Sequence, residues 1–232
     1  MNYESTWKLL GRGAGVSPMV VAMMLLQQPA PVAAQGIPLG QQPEFSPVSF
    51  AFHSGFRIGG AIATTDGEVS VGDGLAYGGQ IEFRTGRSGA FAIMIDYQPT
   101  TLDVREGEGP ERKVTDLSVV HLQVGGTFET DRSRRPLIGY GTGGIGAGLF
   151  KPGDGRDSRW TFAMMMGLGA RMPLGEGDRV SLRAEFRLIL EPYAVEQGEP
   201  LWCGDTGPCY VGGDNTFGPV QTEFSIGISF LK

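Results

Sequence analysis

Four groups of residues in this 232-residue chain have the types and spacing that could do chemistry. The first is GYGTGGIGAG, Gly139 to Gly148, which contains G-x-G-x-x-G twice. As a phosphate cradle it would need a strand before it and a helix after it. RPLI precedes it, but the chain then runs into LFKPGDGRDSR, a turn-rich stretch that cannot complete a strand–helix–strand unit. The glycines instead suit a strand whose neighbours need room, or one that bends sharply. Glycine occurs at both parities, so the inward face of this stretch stays open. The second group is the pair of histidines, His53 in FAFHSGFR and His121 in VVHLQVGG. A histidine that activates a serine from the same strand face wants it two residues away. The residues two on are Gly55 and Gln123, and Ser54 points to the opposite face, so both histidines read as hydrogen-bonding residues. The third group is Cys203 and Cys209, closing the small loop CGDTGPC; outside a reducing cytosol they read as a disulfide. The fourth is the acidic stretches DGEVSVGDG and KPGDGRD, neither of which has the full ligand spacing of a calcium loop. No catalytic residue, cofactor site or metal site is expected.

The elements that position these residues follow from period two. Beyond Ser46 there is almost no helical periodicity, and alternating segments are expected near 49–64, 75–85, 89–98, 115–129, 136–150, 160–173, 179–191 and 219–231. The 38 glycines exceed ordinary usage, yet aromatic and β-branched residues are plentiful, which argues against disorder. A formal net charge of −6 argues against nucleic acid as a partner. Residues 1–34 read as a signal peptide: Lys8 and Arg12, an apolar run from Val16 to Leu26 too short to span a bilayer as a helix, then Val32-Ala33-Ala34 before Gln35. Residues 35–47 are a Pro/Gln-rich lead-in, and 48–232 form a single unit.

The connections alternate in length. Those of odd rank are long and acidic-polar; those of even rank are tight and carry Arg87, Arg132, Arg134, Arg135 and Arg179. The faces alternate too. In VSLRAEFRLIL, Val180, Leu182, Ala184, Phe186, Leu188 and Leu190 oppose Ser181, Arg183, Glu185 and Arg187. A soluble ligand-binding barrel would bury the apolar face; a transmembrane barrel turns it to lipid and fills its interior with polar groups. The export signal, the loop asymmetry and the small residues among the polar positions favour the second. So do aromatics at strand ends, which read as interfacial girdles: Phe83, Phe91, Phe128 and Phe230 on the side of the tight turns, and Tyr77, Tyr97, Phe150, Trp160 and Tyr193 on the side of the long loops.

Residues 48–232 therefore resemble the small outer-membrane β-barrel family, the OmpA-like and opacity-type eight-stranded domains of Gram-negative bacteria. The resemblance rests on the Gly-rich strand RPLIGYGTGGIGAGLF and the terminal strand FSIGISF. Such proteins usually end on an aromatic that the barrel-assembly machinery reads; here Leu231-Lys232 follows Phe230. The resemblance implies an all-β, antiparallel up-and-down transmembrane barrel of about eight strands, with long loops extracellular and both termini periplasmic. Polar faces turned inward would place Arg57, Arg84, Arg171, Arg183 and Arg187 against Glu82, Asp96, Glu185 and Glu223. An eight-stranded barrel is only wide enough for side chains to fill, so these charges should pair and plug it. The expected function is structural or surface-interacting and non-catalytic. The alternatives are a lipid-A-modifying enzyme, a narrow porin and a soluble periplasmic binding barrel. Expected partners are outer-membrane lipid and lipopolysaccharide, the assembly machinery through the last strand, and a surface ligand met by Trp202, Tyr210 and Phe217 in the longest loop.

Overall fold

Alternation of branched or aromatic residues with polar ones favours extended chain, and each such segment here finds antiparallel partners on both sides. A computed structural model describes residues 48–64, 67–86, 88–130, 137–175, 179–192, 200–201, 209–210 and 219–231. Its strands are β1 (Val48–Ile58), β2 (Ala61–Ala63), β3 (Gly67–Val71), β4 (Gly74–Arg84), β5 (Gly89–Glu106) and β6 (Arg112–Glu129). There follow β7 (Ile138–Pro152), β8 (Arg159–Leu174), β9 (Val180–Leu190), β10 (Pro200–Leu201), β11 (Cys209–Tyr210) and β12 (Val220–Leu231). Strands β1, β4, β5, β6, β7, β8, β9 and β12 pair in that order, and β12 returns to β1, so the wall is a closed antiparallel barrel of eight strands. Closure leaves no edge among them. A separate two-stranded pair joins β10 to β11.

Two departures from the expected elements lie on the same side of the wall. The segment expected as one strand over 49–64 breaks at Gly59-Gly60 into β1 and β2, while β3 stands above β4 and pairs with the upper part of β5. A Cβ at Gly59 would lie 1.6 Å from the carbonyl oxygen of Val71, so only glycine permits that approach. The region 99–114, expected as a loop, is mostly strand: β5 runs to Glu106 and β6 begins at Arg112, with a register shift at Leu102/Asp103. Gly107, at φ 55°, makes the turn at the tip. On this side the wall therefore rises above the rest of the described strands.

The faces reverse along the rising strands. In the lower part of β5, Phe91, Ile93, Ile95 and Tyr97 are exposed and Ala92, Met94, Asp96 and Gln98 are buried inside. Higher up the outward residues are Pro99, Thr101, Asp103 and Arg105, and the inward ones are Leu102 and Val104. These pack with Val69, Val71, Leu117, Val119 and Phe150 into an apolar cluster. Phe150, expected in the loop-side girdle, is only 2% exposed and belongs to this cluster. Its position two residues on from Gly148 gives it inward parity, and parity outweighs nearness to a strand end. The same parity settles β7: Tyr140, Thr142, Gly144, Gly146 and Gly148 face inward, and Gly139, Gly141, Gly143, Ile145 and Ala147 face outward.

Candidate functional site

The barrel interior gathers most of the ionisable side chains that the strands carry. All nine residues expected there, Arg57, Glu82, Arg84, Asp96, Arg171, Arg183, Glu185, Arg187 and Glu223, point inward. They are joined by Glu129 and Glu191, so five guanidiniums meet six carboxylates. Glu129 ends β6 and Glu191 directly follows β9, beyond the segments whose faces alternation had assigned. Their parity, continuing Glu185–Arg187 and His121–Gln123, was the signal available.

The interior groups form three linked clusters. Near the loop side, Arg57 donates through Nε and Nη2 to Glu223 Oε2 at 2.9 and 2.6 Å, and both residues are 0% exposed. Its Nη1 stands 3.0 Å from His121 Nδ1. Arginine has no acceptor, so His121 Nδ1 accepts, and its Nε2–H donates to Glu191 Oε1 at 2.7 Å. Gln221 Nε2 donates to the other oxygen of Glu191 at 2.8 Å. In the middle, Arg187 Nη1 lies 3.0 Å from Asp96 Oδ1 and 3.0 Å from His53 Nε2, while its Nε donates to Glu185 Oε1 at 2.8 Å. Towards the tight turns, Arg183 Nη1 donates to Glu82 Oε1 at 3.0 Å and Ser49 Oγ donates to Glu82 Oε2 at 2.8 Å. Tyr140 OH donates to Glu185 Oε2 at 2.8 Å and accepts from Arg183 Nε at 3.2 Å. Arg171 and Arg84 hold Glu129 at 2.5 and 3.6 Å.

Glycines on the inward face make room for this network. A Cβ at Gly78 would crowd both Asp96 and His53, one at Gly169 would meet the Tyr140 ring, and one at Gly148 would come within 2.8 Å of Glu191 Oε1. Within GYGTGGIGAG this is the role of Gly148, whereas an added Cβ would meet Met94 at Gly144 and the backbone of β6 at Gly146. A cavity of about 10 Å³, lined in part by His53, Gln80, Arg183 and Arg187, has room for about one water.

Two chemistries can be tested on this geometry. His53, Asp96 and Glu223 present ligand atoms within 4.8 Å of one another. The place where a cation would sit is taken by Arg187 Nη1, at 3.0, 3.0 and 3.8 Å from them, so the guanidinium supplies the positive charge. Nucleophilic catalysis fares no better: His121 has both ring nitrogens engaged, and Ser54, beside His53, is on the outward face.

Between the tight turns and the row of Tyr77, Tyr97 and Trp160 the outer surface is largely apolar. Phe83, Phe91, Phe128 and Phe230 are exposed towards the tight turns, with the Phe83 and Phe91 rings 6.3 Å apart. Tyr77, Tyr97 and Trp160 are exposed towards the loops, Trp160 by 63%. Those three share one cross-strand row through Val120 and Leu149. An apolar exterior around a charged interior inverts the pattern of a water-soluble barrel and matches that of a lipid-facing wall.

No protein-family model matches the chain, and no curated protein matches it. Solved structures do. The crystal structure of Neisserial surface protein A matches at TM-score 0.51 and 14% identity, over 81% of this chain and 98% of that one. The outer membrane protein OprG of Pseudomonas aeruginosa matches at TM-score 0.51 and 10% identity, over 81% and 98%.

The chain has the fold of the small outer-membrane β-barrels.

Within that fold, the charged interior is the part that this barrel's own residues define most completely. Tyr193, Trp202, Cys203 and Phe217 lie outside the described residues. Of Cys209 and Tyr210 only the backbone pairing with Leu201 and Pro200 is described, so neither the disulfide nor the expected contact surface enters the description of the barrel.

Proposed function

We propose that the protein is a plugged barrel of the bacterial outer membrane that anchors and displays a raised strand platform, and that it is not an enzyme. The observation that carries this is the filled interior. Charged side chains from all around the wall interlock across it, and an open conduit would need them withdrawn, leaving buried ions unpaired at a cost of several kcal/mol each. The likeness to the two barrels supports the fold and goes no further. Residues 1–34 as an export signal, 35–47 as a periplasmic lead-in and the rising β5–β6 hairpin as the extracellular end complete the reading, with the last loop available to a surface ligand and the last strand to the assembly machinery. The lack of an available histidine–hydroxyl pair among the described residues favours a non-catalytic role.

Two measurements test it. Membrane fractionation with a heat-modifiability gel should find the folded chain in the outer membrane; release into the periplasmic fraction without detergent would overturn the reading. In planar lipid bilayers the purified barrel should give no steady conductance, and stable open channels would overturn the plug.

A further inference from the structure

One interior side chain holds a partner that its second proton would expel. His121 is fully buried, with Nδ1 3.0 Å from Arg57 Nη1 and Nε2 2.7 Å from Glu191 Oε1. Arg57 offers no acceptor, so its bond to the ring exists only while Nδ1 keeps a free lone pair. The surrounding charges favour the opposite state. Arg57 on β1 faces the ring with Glu223 of β12 behind it, and Glu191 faces it from the end of β9. Asp96 of β5 is in register with His121 but is engaged by His53 and Arg187. β7 and β8 bring only Gly148 and Thr161 to this level. One guanidinium against two carboxylates leaves a negative charge that a second imidazole proton would balance. Among the described residues, Gln98 Oε1 and Gln221 Oε1 are buried without a hydrogen bond, although their amide nitrogens bond Gly72 O at 3.3 Å and Glu191 Oε2 at 2.8 Å. The raised sheet stands on this cluster. Arg57 lies two residues before the Gly59-Gly60 break that leads into β2. Val119 and Phe150, the next inward residues above His121 and Gly148, belong to the upper apolar core.

We propose that His121 and Arg57 form an acid-released latch that holds the base of the raised β2–β3–β5–β6 sheet. With Nδ1 unprotonated, Arg57 is fixed between Glu223 and His121, and the floor of the upper core is closed. A proton on Nδ1 sets N–H against N–H at 3.0 Å, so Nη1 leaves and the guanidinium turns to the unpartnered glutamine oxygens. Glu191 and Glu223 still pair the two cations, so the released arrangement leaves no buried ion unanswered. The released form takes up a proton and the latched form does not. Stability of the upper sheet is therefore complete at neutral pH and falls on acidification. The proposal rests on the plugged-barrel reading given above.

The test is hydrogen exchange of the folded full chain in phospholipid nanodiscs, corrected for intrinsic rates, at about pH 7.5 and about pH 5. Across that span a free imidazole takes its second proton while free carboxylates mostly keep their charge. Protection of β3 and of the upper parts of β5 and β6 should fall roughly tenfold at the lower pH, while the lower wall, β9 against β12, should not change. His121→Gln, whose amide accepts from Arg57 and donates to Glu191 but does not titrate, should keep its neutral-pH protection and lose the acid response. Nitrogen NMR of the wild type should show His121 protonated at Nε2 alone at the higher pH, and at both nitrogens over the range in which protection falls; this readout stands even if the variant does not fold. Equal protection of the upper sheet at both pH values, an acid response that survives in His121→Gln, or a neutral-pH proton on Nδ1 would overturn the proposal. Failure of the plugged barrel itself would show separately, as lost protection of the lower wall at both pH values.

Discussion

The lower and upper parts of the β5–β6 hairpin are built from the same strands with opposite solvents in mind. Below Tyr97 the outside is apolar and the inside is charged; above it the outside carries Asp103, Arg105 and Asp116 while the inside carries Leu102, Val104, Leu117 and Val119. Both parts obey period two, and neither changes backbone type. What changes is which face meets water. In lipid the interior is the only place for charge, and it must be paired there. Above the lipid an ordinary apolar core becomes available. The crossover on one continuous strand, between Gln98 and Leu102, locates the membrane boundary more sharply than the aromatic girdle does.

The largest effect should come from breaking the charged interior. Glu223→Ala removes the partner of Arg57 at 2.6 Å and leaves a fully buried guanidinium behind, which should cost about 3–5 kcal/mol. Urea unfolding of the reconstituted barrel measures it. A loss under about 1 kcal/mol would mean that water enters this cluster freely. In the upper core Phe150→Ala should cost about 3 kcal/mol, by cavity formation and without any charge imbalance. The two should be separable by salt: the first loss changes with ionic strength wherever water reaches the network, whereas the second does not.

Much of this organisation was legible in the alternation. The faces of β4, β9 and β12 could be read directly, because branched and aromatic residues occupy one parity and charges the other. The upper hairpin was not legible for the reason that makes it interesting. PTTLDVREGEGPERKVT is polar at the positions that face lipid lower down, so a rule tuned to a membrane strand reads it as loop, although Leu102 and Val104 continue the period. β3 was invisible because GEVSV has only two strong β-formers and is fixed by pairing with β5, a partner over thirty residues away. Phe150 misled because an aromatic near a strand end suggests a girdle, and only parity, masked there by glycines, places it inside.

A charge placed on the outer face should measure the boundary directly. Ile95→Arg puts a guanidinium in the lipid-facing belt and should cost about 2–4 kcal/mol, while Thr101→Arg, six residues along the same face, should stay within about 0.5 kcal/mol. Comparable costs at both positions would move the lipid boundary above Thr101 and dissolve the contrast between the two parts of the hairpin.

The smallest and most pointed contrast lies inside β7. A Cβ at Gly146 would fall 2.0 Å from the carbonyl oxygen of Leu122 and 2.7 Å from Gln123 Cα, both backbone atoms of the paired strand. Neither can give without opening the ladder, so Gly146→Ala should destabilise by about 1–3 kcal/mol. At Gly141, on the outward face, the nearest atom to an added Cβ is a Leu168 methyl carbon at 3.8 Å, an ordinary contact. There the backbone does not require glycine, and Gly141→Ala should stabilise by about 0.5 kcal/mol through reduced freedom of the unfolded chain. Unfolding midpoints of the two variants should therefore move in opposite directions. If both fell, the outward glycines would be needed by something that touches the wall from the lipid side; if neither fell, the close strand approach at Gly146 would not exist. One glycine-rich stretch thus holds two kinds of glycine, and the sign of a single added methyl group distinguishes them.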